Sequence, residues 1–292
     1  MRPLYKTHPA VVLVYFLALL VLLMFVFHPI FSLLAFFGGL LFSFQLQRQG
    51  CRKELSFLLL LILVVGITNP LFSHRGETPL FFLSGNPVTL EALLYGLHLG
   101  VTMAATILWF RCFGLVLGEE KILFLFGGFS PKLALLISSA LGFVPRLQRR
   151  GEELFATHQT LGLFSETSRV GRVKGSLKVY SALISWALEQ AMETGNAMKA
   201  RGYGLPGRTH YGIYRFYLSD FFTLLVVLFL LLPIFVALVF GQPSFSFYPG
   251  LQSGENDIFA ICSLIGFGML SLLPFILETK EGILWRFYRS KI

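Results

Sequence analysis

The sequence predicts an all-α polytopic membrane protein. About six transmembrane helices are expected, with a short re-entrant or interfacial helix and two long cytoplasmic helices inserted after the fourth span. Three observations carry this. Hydrophobic residues make up 55% of the 292 positions and charged residues only 13%, about half the charged fraction usual in globular domains. Mean hydropathy is +0.72. Several apolar runs approach the ~20 residues that a helix needs to cross a bilayer.

The net charge of +9 reports topology more than ligand class in such a chain. Its basic residues are spread over many loops, which speaks against nucleic-acid binding. Cys51, Cys112 and Cys262 lie far apart and form no CxxC pair, so neither a zinc site nor a disulfide framework is indicated. The six histidines (8, 28, 74, 98, 158 and 210) show no metal-ligand spacing. The 15% aromatic content, mostly phenylalanine, reads as lipid-facing surface. The N-terminal "MRPLYKTHPA" lacks a small-residue cleavage site before its apolar run, and reads as leading into a retained first span.

Spans are expected at Ala10–Phe27, Pro29–Leu46, Leu55–Phe72, Glu91–Leu117, Ser219–Phe240 and Ile258–Leu277. His28-Pro29 divides the first two, because proline drives its predecessor out of helical geometry. Arg2, Lys6, Arg48, Arg52, Lys53, Lys280, Arg286, Arg289 and Lys291 fall on one side if the spans alternate. The other side carries Arg75 alone. The excess of positive charge places both termini in the cytoplasm of a multi-pass cell-membrane protein. Arg111 is expected to snorkel at the cytoplasmic end of span four. Glu91 reads as a span-end cap and His98 as a hydrogen-bonded packing residue.

Leu133–Val144 is apolar but too short to cross, which suggests a helix lying in the membrane surface. Three segments follow: 1–143 with four spans and the short helix, 144–215 as a cytoplasmic insertion, and 216–292 with two spans and a tail. The insertion holds eleven Lys or Arg against five Glu, a net of +6. Its first helix is expected from Pro145, a favoured first-turn residue, to Gly162. Its second runs from about Ser176 to Arg201. Polar residues there recur at three- and four-residue steps, with Tyr180, Ile184, Ala187, Ala191 and Met198 on the other face. Gly202, Gly204 and Pro206 stop that helix. Arg201 in its last turn either complements the helix dipole or meets a carboxylate on a docking partner.

The stretch "AMKARGYGLPGRTH" (Ala197–His210) resembles a signature of the transmembrane T component of energy-coupling-factor transporters. Members of that family carry two cytoplasmic coupling helices, each ending in Ala-Arg-Gly. Here the second motif is Ala200-Arg201-Gly202, followed by Gly207-Arg208-Thr209. Asn69–Gly96 and Leu141–Gly162 extend the similarity. The first motif departs from the pattern: Thr160-Leu161-Gly162 keeps the glycine and lacks the arginine. The resemblance implies a non-catalytic subunit that joins two ATP-binding-cassette ATPases to a small substrate-binding membrane S component, for uptake of a vitamin or metal ion. ATP would be bound by the partner subunits and no cofactor by this chain. Residues 160–162 and 200–202 would dock on the ATPases. Tyr180, Ile184, Ala187 and Ala191 would face the S component.

Two weaker motifs point elsewhere. "GRVKGS" (Gly171–Ser176) has Lys-Gly-Ser where a P-loop needs Gly-Lys-Ser, and no strand precedes it. "EQAMETG" (Glu189–Gly195) loosely matches the loop by which ordinary ATP-binding-cassette permeases touch their ATPases. It keeps open a permease that itself forms the substrate path. A membrane enzyme and a plain scaffold are the two remaining readings, and no acid, His or Ser cluster at one membrane depth supports the enzyme.

Overall fold

The computed structural model describes residues 7–47, 51–73, 76–83, 86–162, 169–205, 214–240, 245–248, 250, 252–253 and 258–289. Eight helices lie among them: α1 (Pro9–Phe25), α2 (Pro29–Leu46), α3 (Cys51–Phe72), α4 (Leu90–Phe129), α5 (Pro131–Thr160), α6 (Arg169–Ala200), α7 (Leu218–Val239) and α8 (Ile258–Arg289). Two small antiparallel pairs decorate the loops. They are β1 (Pro79–Leu83) with β2 (Asn86–Thr89), and β3 (Phe245–Ser246) with β4 (Gln252–Ser253). The protein is thus an all-α polytopic membrane protein. Five helices (α2, α3, α4, α7 and α8) are long and apolar enough to cross a bilayer, and α1 is a shorter apolar helix of 17 residues.

α1 and α2 begin with the same device. Pro9 and Pro29 occupy the first helical turn, and the preceding histidine accepts a backbone N–H. His8 Nδ1 takes that of Ala10 and His28 Nδ1 that of Ile30, each at 3.3 Å. Proline is suited to this position because its missing N–H would be unpaired there anyway. The expected break at His28-Pro29 is therefore a true helix start.

The chain divides into two compact units, Met1–Ile122 with Tyr214–Ile292, and Leu123–Ile213. The first holds the apolar helices. Its interior centres on Phe16, Phe31, Phe42, Trp109 and Phe267, all essentially inaccessible. Trp109 donates its indole N–H to the Ala35 carbonyl at 2.9 Å, and Tyr15 donates its hydroxyl to the Leu270 carbonyl at 2.9 Å. Both supply a partner to a polar handle that hydrocarbon would otherwise strand. Glycines bring the helices close. A Cβ at Gly38 would fall 2.9 Å from Ser271 of α8, and one at Gly100 would fall 2.9 Å from the Ile62 carbonyl of α3. Small residues at such crossings allow tight packing where no hydrophobic effect drives association.

Span four ends one residue before a kink at Gly118, whose φ of 45° and ψ of 162° leave the helical region. The helix resumes through Glu119–Phe129, a piece absent from the sequence expectation. Arg111, expected to snorkel, pairs with Glu54 at the start of α3 and donates to Gln47 Oε1 at 2.6 Å.

The second unit differs from expectation in its first helix. The short interfacial segment and the first long helix are one continuous α5 of 30 residues, with Pro145 inside it. Proline removes one intrahelical bond but does not forbid a helix whose flanking turns hold. The expected boundary at 143/144 therefore falls within a helix. α6 also starts earlier than Ser176, at Arg169.

Candidate functional site

α5 and α6 form a hairpin held by apolar and cationic contacts. Phe143 stacks on Trp186 with ring centroids 6.0 Å apart and planes 11° from parallel. The Arg150 guanidinium lies 5.9 Å from the same indole, within the range of a cation–π attraction. Leu183 lies beside Gly151, 3.8 Å from where a Cβ would stand. Arg150 also pairs with Glu153 at 2.8 Å along α5.

Both helices end in the same way. At the end of α6, Gly202 has φ 76°. Its N–H bonds the Lys199 carbonyl at 3.0 Å, and the Tyr203 N–H bonds the Met198 carbonyl at 3.0 Å. That is a complete Schellman stop, which needs a residue tolerant of positive φ. At the end of α5, Gly162 has φ 75° and its N–H bonds the Gln159 carbonyl at 3.1 Å. The bond from the glycine N–H is the same one helix earlier. Leu161 and Arg201 therefore occupy equivalent capping positions, each directly before a left-handed glycine.

Both capping side chains lie open. Leu161 is 69% exposed. Arg201 is exposed too, and no ion pair to it occurs among the described residues. Thr160 and Ala200 are exposed beside them. The α5 tip leads into the connection to α6, whereas the α6 tip lies at the far end of a 32-residue helix. At ~1.5 Å per residue the two tips are separated by about 48 Å of α6.

α6 has two apolar faces. Gly175, Val179, Leu183 and Trp186 turn inward, buried or half-buried. On the opposite side, Val173, Leu177, Tyr180, Ile184, Leu188 and Met192 are exposed at three- and four-residue steps. Of the four residues expected to face an S component, Tyr180, Ile184 and Ala191 lie on this open stripe and Ala187 is half-buried. Leu188 and Met192 escape the sequence reading because apolar residues on two faces blur the single stripe of an amphipathic helix.

The competing motifs fall in the wrong geometry. Gly171–Ser176 and Glu189–Gly195 both lie inside α6, where neither a phosphate-cradling loop nor a docking loop can form. Gly207-Arg208-Thr209 lies outside the described residues. Among the described residues, no group of three or more His, Cys, Asp or Glu could hold a metal. Glu91 is buried and serves as a tether rather than only a cap: it accepts the Thr78 hydroxyl at 2.8 Å. His98 is 6% exposed and packs against rings, stacked on Phe247 and edge-on to Phe27. Its Nδ1 is buried without a hydrogen bond, contrary to the hydrogen-bonded role expected.

No family model matches the chain. Curated proteins do resemble it. Over 208 residues it is 28% identical to the energy-coupling factor transporter transmembrane protein EcfT of Bacillus selenitireducens, covering 68% of this chain and 77% of that one. Over 100 residues it is 30% identical to EcfT 1 of Listeria monocytogenes, covering 34% of this chain and 38% of that protein. Over two thirds of its length this polytopic membrane protein is thus similar to a transmembrane protein of energy-coupling factor transporters.

Proposed function

We propose that this chain is the non-catalytic coupling subunit of an energy-coupling-factor importer. It joins two ATP-binding-cassette ATPases, which bind the ATP, to a small substrate-binding membrane S component that takes up a vitamin or metal ion. The observation that carries this reading is the matched pair of helix ends, each presenting an exposed capping side chain before a left-handed glycine. Two equivalent tips at opposite ends of a rigid hairpin suit two equivalent partners. A helix tip seated in a groove transmits rigid-body motion, and the open stripe from Val173 to Met192 supplies an apolar surface for the S component to move against.

In this reading Arg201 enters a groove on one ATPase and pairs with a carboxylate there. Losing one partner of a buried pair costs ~3–5 kcal/mol, because a charge is left unpaired. A surface arginine that only complements the helix dipole costs about 1 kcal/mol or less. The test is ATPase-subunit binding and ATP-driven uptake for Arg201→Ala and Arg201→Lys, at matched protein level in the membrane. Arg201→Ala is expected to weaken binding by about two powers of ten or more. Lysine should restore only part of it, since it lacks the bidentate fork. Near-normal binding and uptake in Arg201→Ala would return Arg201 to a helix cap.

A further inference from the structure

α4 extends past α2 at the end where both helices begin. The Thr102 and Ser32 hydroxyls hydrogen-bond at 2.9 Å, and twelve residues of α4 precede that contact but only three of α2. The space left beside α4 is covered by the segment that holds β3. Phe245 and Phe247 meet edge to face at 4.7 Å, and Phe247 stacks on His98 of α4. Beneath these rings a cavity of about 260 Å³ opens between Leu33 of α2 and Leu94, Leu97 and Val101 of α4. The three α4 residues recur at three- and four-residue steps, so they share one face of the helix. His98 is the one polar side chain in the lining, and its ring is taken up by Phe247 and Phe27.

Depth and wall chemistry say what can fill it. Glu91 and Arg111 stand 20 residues apart on α4, about 30 Å of helix and the thickness of a hydrocarbon core. Leu97 and Val101 lie six and ten residues in from Glu91, about 9 and 15 Å. The cavity therefore lies below the headgroups, among the acyl chains of one leaflet. Leu33 and Leu97 are 44% and 48% exposed, so its mouth opens sideways on the lipid-facing surface. Water is a poor occupant, because it needs several polar partners and these walls are apolar but for one imidazole. An empty void forfeits the dispersion contacts of its lining. A helix from another chain is too bulky, since one turn ~10 Å wide and ~5.4 Å tall fills roughly 400 Å³. A single hydrocarbon chain fits all three limits.

We propose that this cavity holds one acyl chain of a membrane phospholipid, which enters between Leu33 and Leu97 and lies under the rings of Phe245 and Phe247. The site recognises the chain and not the headgroup, because no charged side chain lines it. It differs from the outward faces of α3 and α7. Leu59, Leu63 and Ile67 on α3, and Leu225, Phe229 and Leu232 on α7, are at least as exposed as Leu33 and Leu97. Those faces meet lipid in passing, whereas a chain beneath the two rings is held on several sides.

The test uses the full chain in detergent with a small molar excess of phosphatidylcholine carrying a diazirine midway along one acyl chain. After illumination, peptide mass spectrometry maps the adducts. Residues 94–101 and 245–247 should carry about tenfold more adduct than residues 59–67 and 225–232, since a held chain makes many contacts and a passing one few. Leu33→Trp and Leu97→Trp each fill the mouth and should bring labelling at the cavity down to the level of the two control faces. An unchanged melting temperature in either variant separates plugging from misfolding, and the contrast within the wild-type chain needs neither. Replacing choline by ethanolamine or glycerol in the probe should leave the pattern unchanged. Uniform labelling of all four segments overturns the proposal, as does undiminished cavity labelling in a folded plugged variant. A strong dependence on headgroup would overturn recognition by the chain. Adducts lost to free oleate but not to unlabelled phosphatidylcholine would assign the cavity to a fatty acid and overturn the phospholipid assignment.

Discussion

Leu161 and Arg201 hold the same backbone position on two helices, yet one is an apolar branched side chain and the other a guanidinium. If both tips dock, the groove that receives Leu161 has no use for a carboxylate, and its contact is burial of a leucine. Full burial of that side chain is worth about 1.5–3 kcal/mol. Leu161→Asp should therefore weaken ATPase binding by about tenfold or more, and Leu161→Arg should leave it near normal. An assembly indifferent to Leu161→Asp would remove α5 from the docking surface. His98 invites a test of a different kind. Its imidazole makes ring contacts with Phe247 and Phe27 but leaves Nδ1 unpaired. His98→Phe keeps the ring packing and removes the stranded polar atom, so it should stabilise the protein by about 1 kcal/mol. A lower melting temperature in detergent would show that the imidazole contributes more to the apolar unit than its ring packing. The tip residues were legible in the sequence because glycine stops are local. The stranding of His98 was not, because it depends on Phe247, contributed from 149 positions away in the chain.

The helices themselves were legible where apolar runs are unbroken, and less so where proline or glycine intervenes. Pro145 is the instructive case. In a sequence it reads as a start, yet α5 passes through it, and the stacking of Phe143 on Trp186 lies just before it. Gly118 is the reverse: the expected end of span four at Leu117, before Glu119-Glu120-Lys121, coincides with its positive φ, but the resumption of helix beyond it was not legible. The small strand pairs β1–β2 and β3–β4 escape a sequence reading altogether, since two to five residues carry too little pattern. The hairpin of α5 and α6 depends heavily on Trp186. Replacing it with alanine forfeits a stacked ring and a cation–π contact, together about 1–2.5 kcal/mol. Trp186→Ala should therefore speed amide exchange across residues 143–151 and 183–190 with little change in α2 or α8. The helix crossings of the apolar unit are governed by glycine instead. Gly100→Leu should force α3 away from α4 and lower the melting temperature, because the obstacle at 2.9 Å is a backbone carbonyl that cannot move aside.

The parity of membrane crossings decides where every loop lies, and it turns on α1. α3, α4, α7 and α8 have 22 residues or more and α2 has 18, whereas α1 has 17 residues, about 26 Å of helix. That is short of a ~30 Å core, by an amount that local thinning of the bilayer accommodates at small cost. α1 is also not a peripheral helix. Val11, Val12, Tyr15, Phe16, Leu19 and Leu23 are buried, and Tyr15 reaches α8 to bond the Leu270 carbonyl. A helix that fills the centre of the apolar unit crosses with it. Six crossings predict that Thr7, Ser168 and Ser290 share one side. Single cysteines in a background lacking the native three report this directly. An impermeant maleimide added outside intact cells should label cysteine at Ser84 or Ser253 and spare it at Thr7, Ser168 and Ser290. Labelling at Thr7 alone would mean that α1 does not cross. Labelling at Ser168 would place the α5–α6 connection outside, where no ATPase could meet it, and would end the coupling reading along with the topology.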